Sequence, residues 1–258
     1  MKLKHLGGII LISVLFNLSC TPYKTVPYFQ DVRKDTILNE TINNYTPLTL
    51  QPGDLLGISV TSLNSQADLM FNYNLAAQPG VALAKPDQTA VVGYLVDNNG
   101  NINFPLLGLI KVSGIATADV ATQLQDKLQA YLSKAVVNVR ILNFKISVLG
   151  DVKNPGTFSI QDEKITITGA LSLAGDLNIT GIRNNVMLIR EKDGIREFIP
   201  VNLLSKSITN SSYYYLKNND VLYVQPNKVK VSFDEATVAK VSLIISAISI
   251  LILIIRKY

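Results

Sequence analysis

The chain has 258 residues, a formal net charge of +5, one Cys, one His and no Trp. Lys2 and Lys4 belong to the leader, and no basic cluster occurs mid-chain, so nothing points to a nucleic-acid partner. His5 and Cys20 both lie at the N-terminus. The body therefore lacks the residues for Ser-His-Asp or Cys-His catalysis, for the usual zinc sites and for disulfides. There is no G-x-x-x-x-G-K-[ST] phosphate loop, so energy coupling is not expected. Neither an enzyme nor a cofactor or metal is indicated.

Residues 1–19 read as a signal peptide, with a basic start, an apolar run from Leu6 to Phe16 and small Ser19. Cys20 directly after it looks like the acylated residue of a bacterial lipobox. Leu18 and Ser19 fit that pattern, and Asn17 departs from it. Thr21 in place of Asp implies sorting to the outer membrane, by likeness to known lipoproteins. Residues 20–44 read as a polar tether, whose Tyr23, Tyr28 and Phe29 can pack on the body.

The first domain is expected over residues 45–143. Pro52, Gly53 and Asp54 form a turn that feeds a strand over 55–60. Residues 62–90 carry Asn, Gln and Pro without a period and read as a long loop, pinned in part by Met70, Phe71 and Tyr73. Residues 91–96 and 101–104 read as a hairpin around Asp97-Asn-Asn-Gly100, with a further extended piece to Ile110. Thr117 is placed to cap a helix whose apolar face is Val120, Leu124, Leu128 and Tyr131. A half-buried strand follows over 137–141.

The second domain is expected over residues 144–226. Strands over 145–149 and 157–160 flank a turn containing Gly150, Pro155 and Gly156. A short helix over 166–174 stops at Gly175. Strands over 186–190 and 197–201 precede Tyr213-Tyr-Tyr-Leu-Lys-Asn-Asn-Asp220 and a last strand over 221–224. A hairpin, a crossing helix and more strands is a β-grasp-like order. The fold class is therefore α+β. Leu216-Lys-Asn-Asn-Asp220 echoes Leu50-Gln-Pro-Gly-Asp54, which convergence on a turn explains as well as duplication does. Asp54, Asp97 and Asp220 read as turn hydrogen-bond acceptors, and the three tyrosines as packing residues in preference to sugar platforms.

The chain closes on an uncharged run, Val241 to Ile255, inside a membrane helix expected over 235–257. As a helix that run spans about 22 Å, short of the ~30 Å core of a typical bilayer. Lys240 and Arg256 can snorkel, and outer membranes are thin, so it can just span. Glu235, Ala239, Ser242, Ser246, Ser249, Leu253 and Arg256 fall on one stripe. Small and hydroxylic residues so spaced let helices associate in lipid or line a passage. The lipid at Cys20 is expected to hold the end of the body opposite this helix.

These residues carry a resemblance. Leu50-Gln-Pro-Gly-Asp54-Leu-Leu-Gly-Ile, then Tyr94 through Gly108 with Val112-Ser-Gly114, resemble the export domain of the Wza-like outer-membrane polysaccharide export family. Val148-Leu-Gly150-Asp-Val152-Lys-Asn-Pro155-Gly156 and Leu173-Ala-Gly175 resemble its soluble-ligand-binding β-grasp (SLBB) domain. The resemblance implies a ring homo-oligomer in the outer membrane, lipid-anchored, with a porin-like passage for capsular or extracellular polysaccharide. It also implies an inner-membrane co-polymerase or tyrosine kinase as partner. The chain departs from longer members in having room for only one SLBB domain, and in a short, apolar last helix. The alternative is a lipoprotein scaffold that recruits the assembly machinery and forms no pore.

Overall fold

The computed structural model describes residues 25–33, 35–72, 93–192, 194–228 and 239–249. Two separate apolar cores organise them. The first gathers Leu50, Leu56, Ile58, Val60, Phe71, Phe104 and Leu124, among others, and the second Phe144, Ile146, Val148, Ile167, Leu188 and Leu222. The mixed α+β class expected from the sequence is the one observed.

In the first domain, β1 (Leu55–Thr61) is the middle strand of a three-stranded antiparallel sheet. β2 (Tyr94–Leu95) lies on one side of it, and β5 (Val136–Ile141) on the other. Leu56, Ile58 and Val60 alternate inward along β1 and are fully buried, the parity of a strand with one covered face. α2 (Thr117–Leu128) lays Val120, Leu124 and Leu128 on that face, all at 0% exposure.

Four expectations are corrected here. The segment after β1 is not all loop: Ser65–Asn72 is a helix, α1. Asn64 Oδ1 accepts from the backbone N–H of Gln66 and Ala67, which is N-capping, and Phe71 is buried and stacked on Phe104. Eight residues, just over two turns, offer too few apolar positions to show a period. Met70 is exposed, and Tyr73 lies outside the described residues. The hairpin is also shifted along the chain. β3 (Asn101–Phe104) pairs with β4 (Gly108–Lys111), while β2 pairs with β1. Leu106 and Gly108 take positive φ (61° and 70°) and turn the chain within Pro105–Leu107. Asp97 and Gly100 form a tight turn without a ladder. Thr117 does not cap α2: the cap position is Ala116, and Thr117 Oγ1 instead donates to Glu163 Oε1 at 3.2 Å. Finally, α2 ends at Leu128, so Tyr131 is exposed and Leu132 takes the inward place.

The second domain is a five-stranded mixed sheet in the order β7-β6-β10-β8-β9. Its strands are β6 (Lys145–Gly150), β7 (Gly156–Ser159), β8 (Val186–Lys192), β9 (Ile195–Val201) and β10 (Val221–Val224). β6 and β10 run parallel and all other neighbours are antiparallel. α3 (Ile167–Leu173) supplies buried Ile167, Ala170 and Leu171 to one face. Thr166 caps it by accepting from Gly169 N–H, and Gly175 ends it at φ 76°, with Asp176 N–H returning to Leu171 O. This is the β-grasp-like order expected.

Gly150 sits where β6 leaves the sheet. Its φ is +91°, and a Cβ there would stand 2.0 Å from Val224 O. Gly114 has a similar φ of +81° but open space around it. Gly150→Ala is therefore expected to lower the unfolding free energy by at least about 2 kcal/mol, from left-handed strain plus displacement of β10. Gly114→Ala should cost only the strain, about 1 kcal/mol. Urea denaturation of the two variants checks the contrast.

Candidate functional site

The two domains are joined by a clasp built from two like turns. In the first domain Gln51 N–H donates to Asp54 Oδ2 (2.8 Å) and Asp54 N–H to Gln51 O (3.1 Å), with Gly53 at φ 89°. In the second, Lys217 N–H donates to Asp220 Oδ2 (2.7 Å) and Asp220 N–H to Lys217 O (3.2 Å), with Asn219 at φ 67°. Each turn follows a buried Leu (Leu50, Leu216) and feeds a strand. They also touch: Asn218 Nδ2 donates to Asp54 Oδ1 at 2.7 Å. The connection between the domains is stitched to both turns. Asn143 Nδ2 donates to Gly53 O and its Oδ1 accepts from Leu55 N–H, while Asn218 Oδ1 accepts from Lys145 N–H. Burial pushes the Asp54 carboxyl up, against the lowering effect of its hydrogen bonds from Gln51 and Asn218.

Asp220 does more than hold its turn. Arg190 Nε and Nη2 meet its two oxygens at 2.9 and 2.6 Å, a bidentate pair with both side chains buried. Val186, Leu188 and Arg190 share the inward parity of β8, so strand alternation alone places the arginine inside and demands an acid there. That signal was available in the sequence and was missed. The tyrosine triplet packs as expected: Tyr213 lies under Arg190, Tyr214 bonds Thr168 and Tyr215 meets Tyr45 edge-on.

The N-terminal segment is a strap on the second domain, although it leads into the first. Phe29 and Gln30 donate backbone N–H to Leu203 O and Leu204 O. Asp31 accepts from Ser205 Oγ and from Lys206 N–H, both at 2.7 Å, and these bonds hold its carboxyl below the usual range. Glu40 pairs with Lys206, and Asn44 Nδ2 donates to Thr209 O and Ser211 O. Tyr28 donates to Asp176 and lies under the Arg183 guanidinium, and burial, with Asp176 adding, pushes its phenol well up.

The other end of the body leaves from the same place. Ile182 N–H donates to Gln225 O, Pro226 bridges Gly181, and Asn227 N–H donates to Thr180 O. Arg183, buried, fastens this loop by donating to Leu177 O, Asn178 O and Gly181 O. Residues 176–183 thus receive both Tyr28 and Asn227. This corrects the expectation that the two tethers hold opposite ends of the body: both described segments emerge from one pole of the second domain.

The C-terminal helix, α4, is described over residues 239–249. Every residue in that stretch is exposed, including Val241, Leu243, Ile244, Ile245 and Ile248. Ser242, Ser246 and Ser249 donate to the carbonyls of Ala239, Ser242 and Ile245, each at 2.8 Å. The described stretch is about 16 Å long. Among the described residues, no helix is long and apolar enough to cross a membrane. Cys20, Glu235, Leu253 and Arg256 lie outside the described residues.

The chain is thus a two-domain α+β body followed by an exposed, largely apolar helix. The model of the polysaccharide biosynthesis/export protein family matches residues 43–142, and that of the SLBB domain matches residues 144–224. The chain is 27% identical over 204 residues to the EPS I polysaccharide export outer membrane protein EpsA of Ralstonia solanacearum. It is 32% identical over 158 residues to the protein of that name from Ralstonia nicotianae. Those matches take in 76% and 56% of this chain but only 52% and 39% of the relatives. The chain thus spans about half the length of the curated relatives it matches, or less. It belongs to the polysaccharide biosynthesis/export protein family, with an SLBB domain following the export domain.

Two outcomes check this site. Arg190→Ala leaves Asp220 charged and buried, and should cost about 3–5 kcal/mol in urea denaturation. Asp54 gives a pH signature. A raised carboxyl pKa means that the folded state holds the proton more tightly than the unfolded chain. Its contribution is full below the ordinary carboxylate range and declines as pH rises through the folded pKa. The stability difference between wild type and Asp54→Asn should therefore be larger at about pH 4 than at about pH 7.

Proposed function

We propose that this chain is a lipid-anchored subunit of a homo-oligomeric passage that carries capsular or extracellular polysaccharide from periplasm to cell surface. The observation that carries the reading is the common pole. A lipid on Cys20 and an apolar helix can both reach one membrane without crossing the body only if the chain segments that lead to them leave on the same side. The second domain then faces the outer membrane, and the first projects into the periplasm toward an inner-membrane co-polymerase or kinase. The names of the two relatives support polysaccharide export at the outer membrane.

In this proposal the helix continues through the apolar run to Ile255 and enters the membrane. Its exposed isoleucines face lipid, and the stripe of Ala239, Ser242, Ser246 and Ser249, continued by Glu235, Leu253 and Arg256, meets neighbouring copies. One helix encloses nothing, so a passage requires a closed ring. The serine hydroxyls already return to their own backbone, which favours the second reading, a scaffold lipoprotein that recruits assembly machinery without a pore.

Full-length protein extracted in detergent should appear as closed rings by particle imaging, and a strict monomer would sink the proposal. Replacing Ser246 and Ser249 together with Leu should abolish rings and surface polysaccharide while leaving the melting of the body unchanged. A scaffold with a plain anchor would keep export in that variant.

A further inference from the structure

A cleft of about 330 Å³ opens between the two domains. It is lined by Tyr45 of the strap, Asn138 and Arg140 of β5, and Gln161 and Asp162 from the segment after β7. Val137 and Val139 point into the first core, so strand parity turns Asn138 and Arg140 outward together. Glu163, held by Thr117, ties the domains across the same seam. The side chains of Asn138, Arg140, Gln161 and Asp162 make no hydrogen bond or ion pair with any described residue. A guanidinium, two amides and a carboxylate therefore line one concavity without satisfying one another. Tyr45 adds an aromatic ring that is 41% exposed.

The chemistry narrows the occupant. A ligand must accept from the guanidinium and amides and donate to the carboxylate, and hydroxyl groups do both. Arg140 faces Asp162 and Glu163 in the lining, and Lys164 stands over the Tyr45 ring at 5.6 Å, so the charges nearly balance and no net positive field calls for phosphate or an acidic sugar. The lining is too polar for a flat apolar cofactor, and the volume lies at the small end of the roughly 300–1,000 Å³ range of ligand sites. We propose that this cleft binds a short run of uncharged hexopyranose units, through Arg140, Asp162 and the two amides, with Tyr45 against a ring face. The choice of a glycan rests on the export reading, and the site is an addition to it. Binding is weak, with Kd on the order of 1 mM, because a transported polymer must also leave.

The test uses the full-length protein in detergent and saturation-transfer NMR. The probes are linear hexasaccharides of glucose (α-1,4, β-1,3 and β-1,4) and of N-acetylglucosamine, with oligogalacturonate as the acidic comparison. At least one uncharged probe should bind, and Arg140→Ala and Asp162→Ala should each weaken it about tenfold with unchanged melting. The proposal is overturned by no binding from any uncharged probe at millimolar concentration, by binding of the acidic probe alone, or by binding that both variants leave intact. The failures are separable. Rings without cleft binding remove this site only, and a monomer that binds glycan in the cleft removes the ring only.

Discussion

The hydrogen bond from Asn218 to Asp54 joins two turns of the same design, one from each domain, and the body depends on that meeting. Each turn holds its carboxylate against the backbone N–H of its own first residue, which leaves one oxygen over. In the second domain the spare oxygen takes Arg190, and in the first it takes Asn218 of the partner turn. Asn143, in the short connection, bonds the first turn from behind. The interdomain angle is thereby set by short, rigid turn backbone and small amides, with little freedom in long side chains.

Fixing that angle has two consequences. It holds β5 of the first domain beside the end of β7 of the second, which creates the polar cleft and the Thr117–Glu163 contact. It also lets the strap run unbroken along the second domain before entering the first. The strap is fastened by Asp31, Glu40 and Asn44 over a stretch with no regular secondary structure of its own, so its order comes from the surface beneath it. Tension on the N-terminal segment would be borne first by this strap and the Tyr28–Arg183–Asp176 contact, and only then by the first domain's core.

Much of the architecture was legible from one residue at a time. Pro52-Gly53 and Gly175 declared their turns because few other residues take those backbone angles, and the alternation in β5 declared which of its side chains face inward. The failures have common causes. Helix α1 is too short for periodicity to register. The hairpin over 101–111 was misplaced because Asp97-Asn-Asn-Gly100 is a stronger turn signature than Pro105-Leu-Leu, although the latter reverses the chain between paired strands. Thr117 looked like a cap, since residue type does not reveal that its hydroxyl has a partner 46 positions away.

The sequence by itself determined the two cores, the α+β class, the turn chemistry and the family, because these rest on local backbone preference and on apolar periodicity. Only the tertiary structure decided that the echoing turns touch, that Arg190 finds Asp220, and that both described ends emerge at residues 176–183. Those facts join positions far apart in the chain. Asn143 and Asn218 have no periodicity or motif to mark them, and their role exists only once two folded domains bring a carboxylate, a carbonyl and two amides within hydrogen-bonding distance.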